Sequence, residues 1–175
     1  MKAMIMAAGR GERMRPLTDG LPKPLLKVGG RALIEYTLAH LSDAGFDEII
    51  INHAHLGQKI VDFLGDGSRY GVSVQYSAEP EGALETGGGI RKAIDYLDQD
   101  PFLVINGDIW TDYALQNLPS RLSGLAHLVM VKNPTHHREG DFYLDGAEIN
   151  LDHGKKLTFS GIGVYSPALF SCLQH

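Results

Sequence analysis

Three short, uninterrupted apolar runs constrain this chain more than anything else in it. They are Ala3–Ala8 ("AMIMAA"), Ile49–Ile51 inside "DEIIINH" (47–53) and Phe102–Ile105 inside "PFLVING" (101–107). A strand with one face in water alternates apolar with polar residues, so a strand without polar positions must be covered on both faces. Helices that connect parallel strands supply that cover, and the segments in between carry a helical period. Residues 32–44 set Leu33, Ile34, Thr37, Leu38, Leu41 and Ala44 three and four apart and close on Gly45, while "LGQKIVDFLGDG" (56–67) puts Ile60, Phe63 and Leu64 on one face. "GVSVQYS" (71–77) alternates with period two. Thr86 is placed to cap a further helix whose stripe is Ile90, Ala93, Ile94 and Leu97. A polar helix after Gly107 and a strand at "LAHLVMV" (125–131) complete the order β-α-β-α-β-α-β-α-β.

After Asn133 the pattern changes. "GDFYLDGAEINL" (140–151) reads as two short strands turning at Asp145-Gly146, "KLTFSGIGVYS" (156–166) as one more strand, and Pro167 as the first residue of a last helix. No linker, repeat or low-complexity stretch divides residues 1–175, which read as a single domain. The fold class expected is α/β: a Rossmann-like, mostly parallel mixed sheet with helices on both faces, plus a small antiparallel hairpin.

At 175 residues, 43% of them hydrophobic, the chain is long enough to bury such a sheet. Its net charge of −5 is unevenly spread: residues 1–31 hold seven Lys/Arg against Glu12 and Asp19, so this segment carries +5 and the remainder −10. A basic segment in an acidic protein suits a compact anionic ligand rather than a nucleic-acid track. The single Cys172 fits a reducing compartment, Arg10 interrupts any signal-like stretch, and no apolar run approaches the ~20 residues of a membrane span. The expected setting is cytoplasmic, with no nucleic-acid and no membrane partner.

The basic segment coincides with the loop that leaves the first strand, "GRGERMRPLTDGLPKPL" (9–25). Open α/β sheets bind ligands at the carboxyl ends of their strands. A dinucleotide fingerprint would need a third glycine where Met14 stands, and a helix that Pro16, Pro22 and Pro24 forbid. A P-loop counted from Gly9 would need Gly-Lys where Met14-Arg15 stand. What remains is Gly9-x-Gly11-x-Arg13, followed by Pro22-Lys23-Pro24. The glycines let backbone N–H groups approach phosphate oxygens, Arg13 offers a planar fork, and Lys23 a mobile charge on a proline-stiffened segment.

This pattern resembles the sugar-1-phosphate nucleotidyltransferases, whose hallmark is approximately A-G/A-G-x-G-x-R…P-K-P, and the likeness extends over essentially the whole chain. The resemblance implies nucleotide contacts at Ala8, Gly9, Gly11, Glu12, Arg13, Lys23, Glu81, Thr86 and Gly88. It implies catalytic roles for Arg13 on the β/γ-phosphates, for Lys23 on the α-phosphate and the incoming sugar phosphate, and for Asp108 as the ligand of Mg²⁺. It puts Asn106 and Asp141 at the acceptor sugar. Asp108 follows a strand in "VINGDIWTD" (104–112), and one carboxylate there suits a Mg²⁺ that bridges substrate phosphates. "EPEGALETGGGI" (79–90) resembles the base-recognition segment of the family: Leu84 and Thr86 match its L-G-T core, whereas Glu85 stands in place of the glycine and Glu79 near an expected glutamine. The segments "INHAHLGQKIVDFLGDGSRYG", "LETGGGI", "NGDIWTDY" and "HHREGDFYL" resemble one uridylyltransferase branch. That likeness implies UTP as donor, a sugar 1-phosphate as acceptor and pyrophosphate as by-product. The same chemistry on a mannose- or heptose-type phosphate, or a non-catalytic nucleotide-binding module, are the alternatives.

His53 with His55, and His136 with His137, lack the cysteines or third spaced ligand of a zinc set, and Ser171 and Cys172 lack a basic partner for a nucleophile. Members of the family continue past the helix at Pro167 to a second acidic metal ligand in a D-V-G-T-like segment. Nothing after Asp141 resembles it, so the expectation is a chain ending short of that ligand, able to bind nucleotide but slow to turn over.

Overall fold

The computed structural model describes residues 1–80, 84–98 and 100–171. Strand β1 (Ala3–Met6) opens into the glycine loop, which holds one 3-10 turn at Glu12–Met14 and another at Lys23–Leu25. A two-strand ribbon follows, β2 (Lys27–Val28) with β3 (Arg31–Ala32), and then α1 (Leu33–Asp43), β4 (Glu48–His53), α2 (Gly57–Leu64), β5 (Ser73–Ala78), α3 (Glu85–Ala93) and β6 (Phe102–Asn106). Strands β5, β4, β1 and β6 lie side by side in that order, all parallel.

The apolar runs are two-faced, as their composition demands. Ala3 and Ile5 of β1, Ile49 and Ile51 of β4, and Leu103 and Ile105 of β6 point into one core, with Ile34, Leu38 and Leu41 of α1 and Ile60 and Leu64 of α2. The intervening Met4, Ile50, Phe102 and Val104 point the other way, onto Ile90 and Ala93 of α3. Gly45, at φ 82, ends the first helix where the stripe stops.

The remaining strands are antiparallel: β7 (Ala126–Val131), β8 (Phe142–Asp145), β9 (Glu148–Asn150) and β10 (Lys155–Tyr165). The long β10 pairs with β6 through Ile162–Tyr165, with β7 on its other side, and with β8 near its start. The β8–β9 hairpin turns at Gly146, with Asp145 opposite Glu148.

Three local expectations are corrected. The polar segment after Gly107 forms only a 3-10 turn at Leu115–Asn117, because Pro119 and Gly124 interrupt it and it has no apolar stripe to bury. Pro167 likewise starts a 3-10 turn, Pro167–Phe170, among the described residues. Thr86 does not cap α3: that helix begins at Glu85 with no side-chain cap. No helix among the described residues is long and apolar enough to cross a membrane.

Candidate functional site

From β1 the chain moves outward through β4 to β5 and then crosses back to β6, on the other side of β1. Strand order therefore reverses at β1/β6, and the loops leaving those two strands diverge to leave a crevice. A cleft of about 450 Å³ opens there. It is bounded by Ala7 to Gly9, Gly11 to Met14, Lys23, Asn52, Glu79, Glu85, Thr86, Asn106 and Asp108.

The two loop glycines do different work. Gly11 sits at φ 66, and a Cβ there would lie 3.0 Å from Thr18 Cγ2 and 3.1 Å from Lys23 Cβ. Thr18 is buried, and its hydroxyl donates to the Gly11 carbonyl at 2.9 Å, so the loop closes on itself at this point. Gly9 has nothing within 4 Å of its missing Cβ and no positive φ; it leaves room for something outside the chain. Gly11→Ala should cost about 1–3 kcal/mol of stability through strain and crowding. Gly9→Ala should change stability by less than about 0.5 kcal/mol yet weaken nucleotide binding. Denaturant titration beside calorimetry separates the two, and equal stability losses would contradict the distinction.

Lys23 stands on a turn whose neighbours Pro22 and Pro24 are both buried, which limits where its Cα can go. Its Nζ donates to Asp108 Oδ2 at 2.5 Å, across the mouth between the glycine loop and the end of β6. Both side chains are part-exposed, at 27% and 33%, so water and ligands reach the pair.

The floor of the cleft is polar. Asn52, one residue before the end of β4, and Asn106, the last residue of β6, both pair with Met6 of β1, one on each side. Asn52 is fully buried: its Oδ1 accepts from the Ala7 N–H at 2.8 Å, and its Nδ2 donates to Glu79 Oε1 at 2.6 Å. The other oxygen of Glu79 accepts from the Leu84 N–H at 2.9 Å. One amide and one carboxylate thus tie together the ends of β1, β4 and β5. Gly89 of α3 makes room for them, since a Cβ would lie 2.5 Å from Glu79 Oε1. Gly161 of β10, at φ 85, does the same for Asn106.

Of the residues expected from sequence, Ala8, Gly9, Gly11, Glu12, Arg13, Lys23, Thr86, Asn106 and Asp108 converge on this cleft. Two others do not line it. Gly88 packs on Leu84, and the Asp141 carboxylate accepts from the Phe159 N–H at 2.8 Å and lies 3.0 Å from His137 Nε2, pinning the start of β8 to β10. Glu81 lies outside the described residues. The basic segment also disperses. Lys2 pairs with Asp98 and Glu48, Arg15 with Glu12 and Asp19, and Arg31 covers the Tyr36 ring, leaving Arg13 and Lys23 as its cations in the cleft. Asn52 was not singled out from the sequence. Its only signal is a polar residue closing an apolar strand, "IIIN", which "FLVIN" repeats at Asn106.

Among the described residues no cluster of three or more His, Cys, Asp or Glu could hold a metal ion alone. Asp108 nevertheless fits a magnesium site of the kind completed by substrate: its one accessible carboxylate, beside a loop suited to phosphate, would hold the ion together with waters and substrate phosphate.

A family profile described as "Nucleotidyl transferase" matches residues 2–142. The chain is 52% identical, over 99% of its length and 79% of the relative's, to an N-acetylmuramate alpha-1-phosphate uridylyltransferase of Neisseria meningitidis. It is 33% identical, over 91% of its length and 43% of the relative's, to a UTP–glucose-1-phosphate uridylyltransferase of Synechocystis. Among solved structures, HddC from Yersinia pseudotuberculosis complexed with GMP-PN superposes with a TM-score of 0.81 over 99% of this chain and 80% of that one, and at 24% identity it shows the shared fold.

Proposed function

The chain belongs to the nucleotidyl transferase family, and on that premise we propose that it transfers the uridylyl group of UTP to N-acetylmuramate 1-phosphate, in cytoplasmic recycling of cell-wall sugar. The donor and acceptor follow the relative that is 52% identical across nearly the whole chain. The observation that carries the chemistry is the meeting of the glycine loop, Lys23 and Asp108 at one reversal of strand order.

In the transfer, a phosphate oxygen of the acceptor attacks the α-phosphorus of UTP in line. The bond from that phosphorus to the bridging oxygen breaks, and pyrophosphate departs with the electron pair. No covalent nucleophile is needed, so rate enhancement rests on positioning and charge neutralisation. Backbone N–H groups from Gly9 to Arg13 hold the triphosphate, the Arg13 guanidinium its β/γ end, and Lys23 the α-phosphate together with the acceptor phosphate. Asn106 serves the acceptor side. Asp108 would hold Mg²⁺, which supplies neutralisation of phosphate charge when bound.

Pyrophosphate release from a panel of UTP, dTTP and GTP against the 1-phosphates of N-acetylmuramate, glucose and mannose tests the reading. The expected fastest pair is UTP with N-acetylmuramate 1-phosphate; a faster pair reassigns the substrate, and no turnover with any pair refutes the enzyme.

The metal role has its own check. Asp108→Asn should reduce the magnesium enhancement of UTP affinity about ten- to a hundred-fold, the equivalent of losing one charged ligand worth about 1.5–3 kcal/mol. In magnesium-free buffer the same variant should bind UTP no more weakly than wild type, because Lys23 loses the carboxylate that competes for it. An unchanged magnesium effect in calorimetry would remove Asp108 from the metal site.

A further inference from the structure

Glu85 holds a backbone conformation that glycine would hold without cost. Its φ is +56, where the Cβ of an L-residue crowds the carbonyl oxygen. It sits at the start of α3 on the wall of the cleft, exposed to solvent. Among the described residues its carboxylate makes no hydrogen bond or ion pair, so no contact with them offsets the strain. Strain of this kind clusters at active sites and ligand clamps, and Glu85 stands on the wall of such a cleft.

The position of Glu85 narrows what that is. The cations Lys23 and Arg13 and the glycine loop lie at the β1/β6 end of the cleft, whereas Glu85 and Thr86 join Glu79 and Asn52 on the β4/β5 side. A nucleotide with its phosphates at the first end lays its nucleoside toward the second. Phosphate oxygens repel a carboxylate, and no metal cluster forms around Glu85 among the described residues. Its partners are therefore uncharged donors. The pairing edge of uracil offers one N–H flanked by two carbonyl oxygens, which would face a carboxylate with like partial charge. The ribose offers two adjacent hydroxyls, spaced to meet the two carboxylate oxygens.

We propose that Glu85 accepts hydrogen bonds from the 2′ and 3′ hydroxyls of the bound nucleotide and so selects ribonucleotides over deoxyribonucleotides. This assignment rests on the UTP reading above. Calorimetry of UTP, dUTP and GTP with the full chain tests it in wild type, Glu85→Gly and Glu85→Gln. Wild type should prefer UTP to dUTP about ten-fold or more, as expected of a charged hydrogen bond. Glu85→Gly should shrink that preference to about three-fold or less, mainly by weakening UTP, and should raise Tm by about 2–4 °C as the strain is released. Glu85→Gln, whose amide oxygen still accepts one hydrogen bond, should keep an intermediate preference.

A ribose preference that survives in Glu85→Gly would overturn the assignment. So would a lower Tm, or a change confined to UTP against GTP. A wild type that binds UTP and dUTP equally tightly sinks this inference and leaves the proposed reaction standing. A wild type that binds GTP but not UTP overturns both.

Discussion

Lys23→Ala should lower kcat about 10²–10³-fold while leaving the fold intact, the scale of losing one preorganised donor to a transition state. The size follows from how the lysine is held. Lys23 itself is flanked by the buried Pro22 and Pro24, so the ammonium is delivered from a stiff base and loses little freedom on engaging phosphate. In the free protein that ammonium rests on Asp108 at 2.5 Å. Negative charge grows on the α-phosphoryl group and the leaving oxygen only during transfer, so the larger loss belongs in kcat rather than in UTP affinity. Single-turnover kinetics beside calorimetric UTP binding read the two separately. A kcat within about three-fold of wild type would take Lys23 out of the mechanism, and a loss confined to affinity would make it a ground-state contact.

Asn52→Leu should cost about 3–5 kcal/mol of folding stability, comparable to breaking a buried charged pair by removing one partner. Leucine is close in size, so the loss measures polar satisfaction rather than volume. It strands the Ala7 N–H and removes the amide that faces the Glu79 carboxylate, and both groups lie beneath the cleft. The same change should weaken nucleotide binding, because Ala7 leads directly into the glycine loop and Glu79 anchors the Leu84 N–H beside Glu85. Urea denaturation gives the stability directly. A loss under about 1 kcal/mol would mean that water replaces the amide and that the three strand ends are not tied through Asn52.

The parallel spine was legible because strand burial and helical period are properties of neighbouring residues. Ile49–Ile51 has no polar position whichever strand it pairs with, and the stripe through Ile34, Leu38 and Leu41 has the same spacing before and after folding. The glycine loop was legible for the same reason: Gly9, Gly11, Arg13, Pro22, Lys23 and Pro24 lie within one short segment, and their order excluded a dinucleotide fingerprint and a P-loop without reference to anything distant.

What only the tertiary structure decided depends on residues far apart in the chain. Which of the seven N-terminal cations stay in the cleft is set by carboxylates such as Asp98 and Glu48, which lie tens of residues from Lys2. Asp141 is claimed by Phe159 and His137 once β10 folds back. The need for Gly11 appears only when Thr18 and Lys23 close over it, and the role of Asn52 only when Ala7 and Glu79 meet it. Electrostatic and packing partners are chosen by distance in space, whereas periodicity is written along the backbone; the first kind of information exists only after the long-range strand pairings have formed.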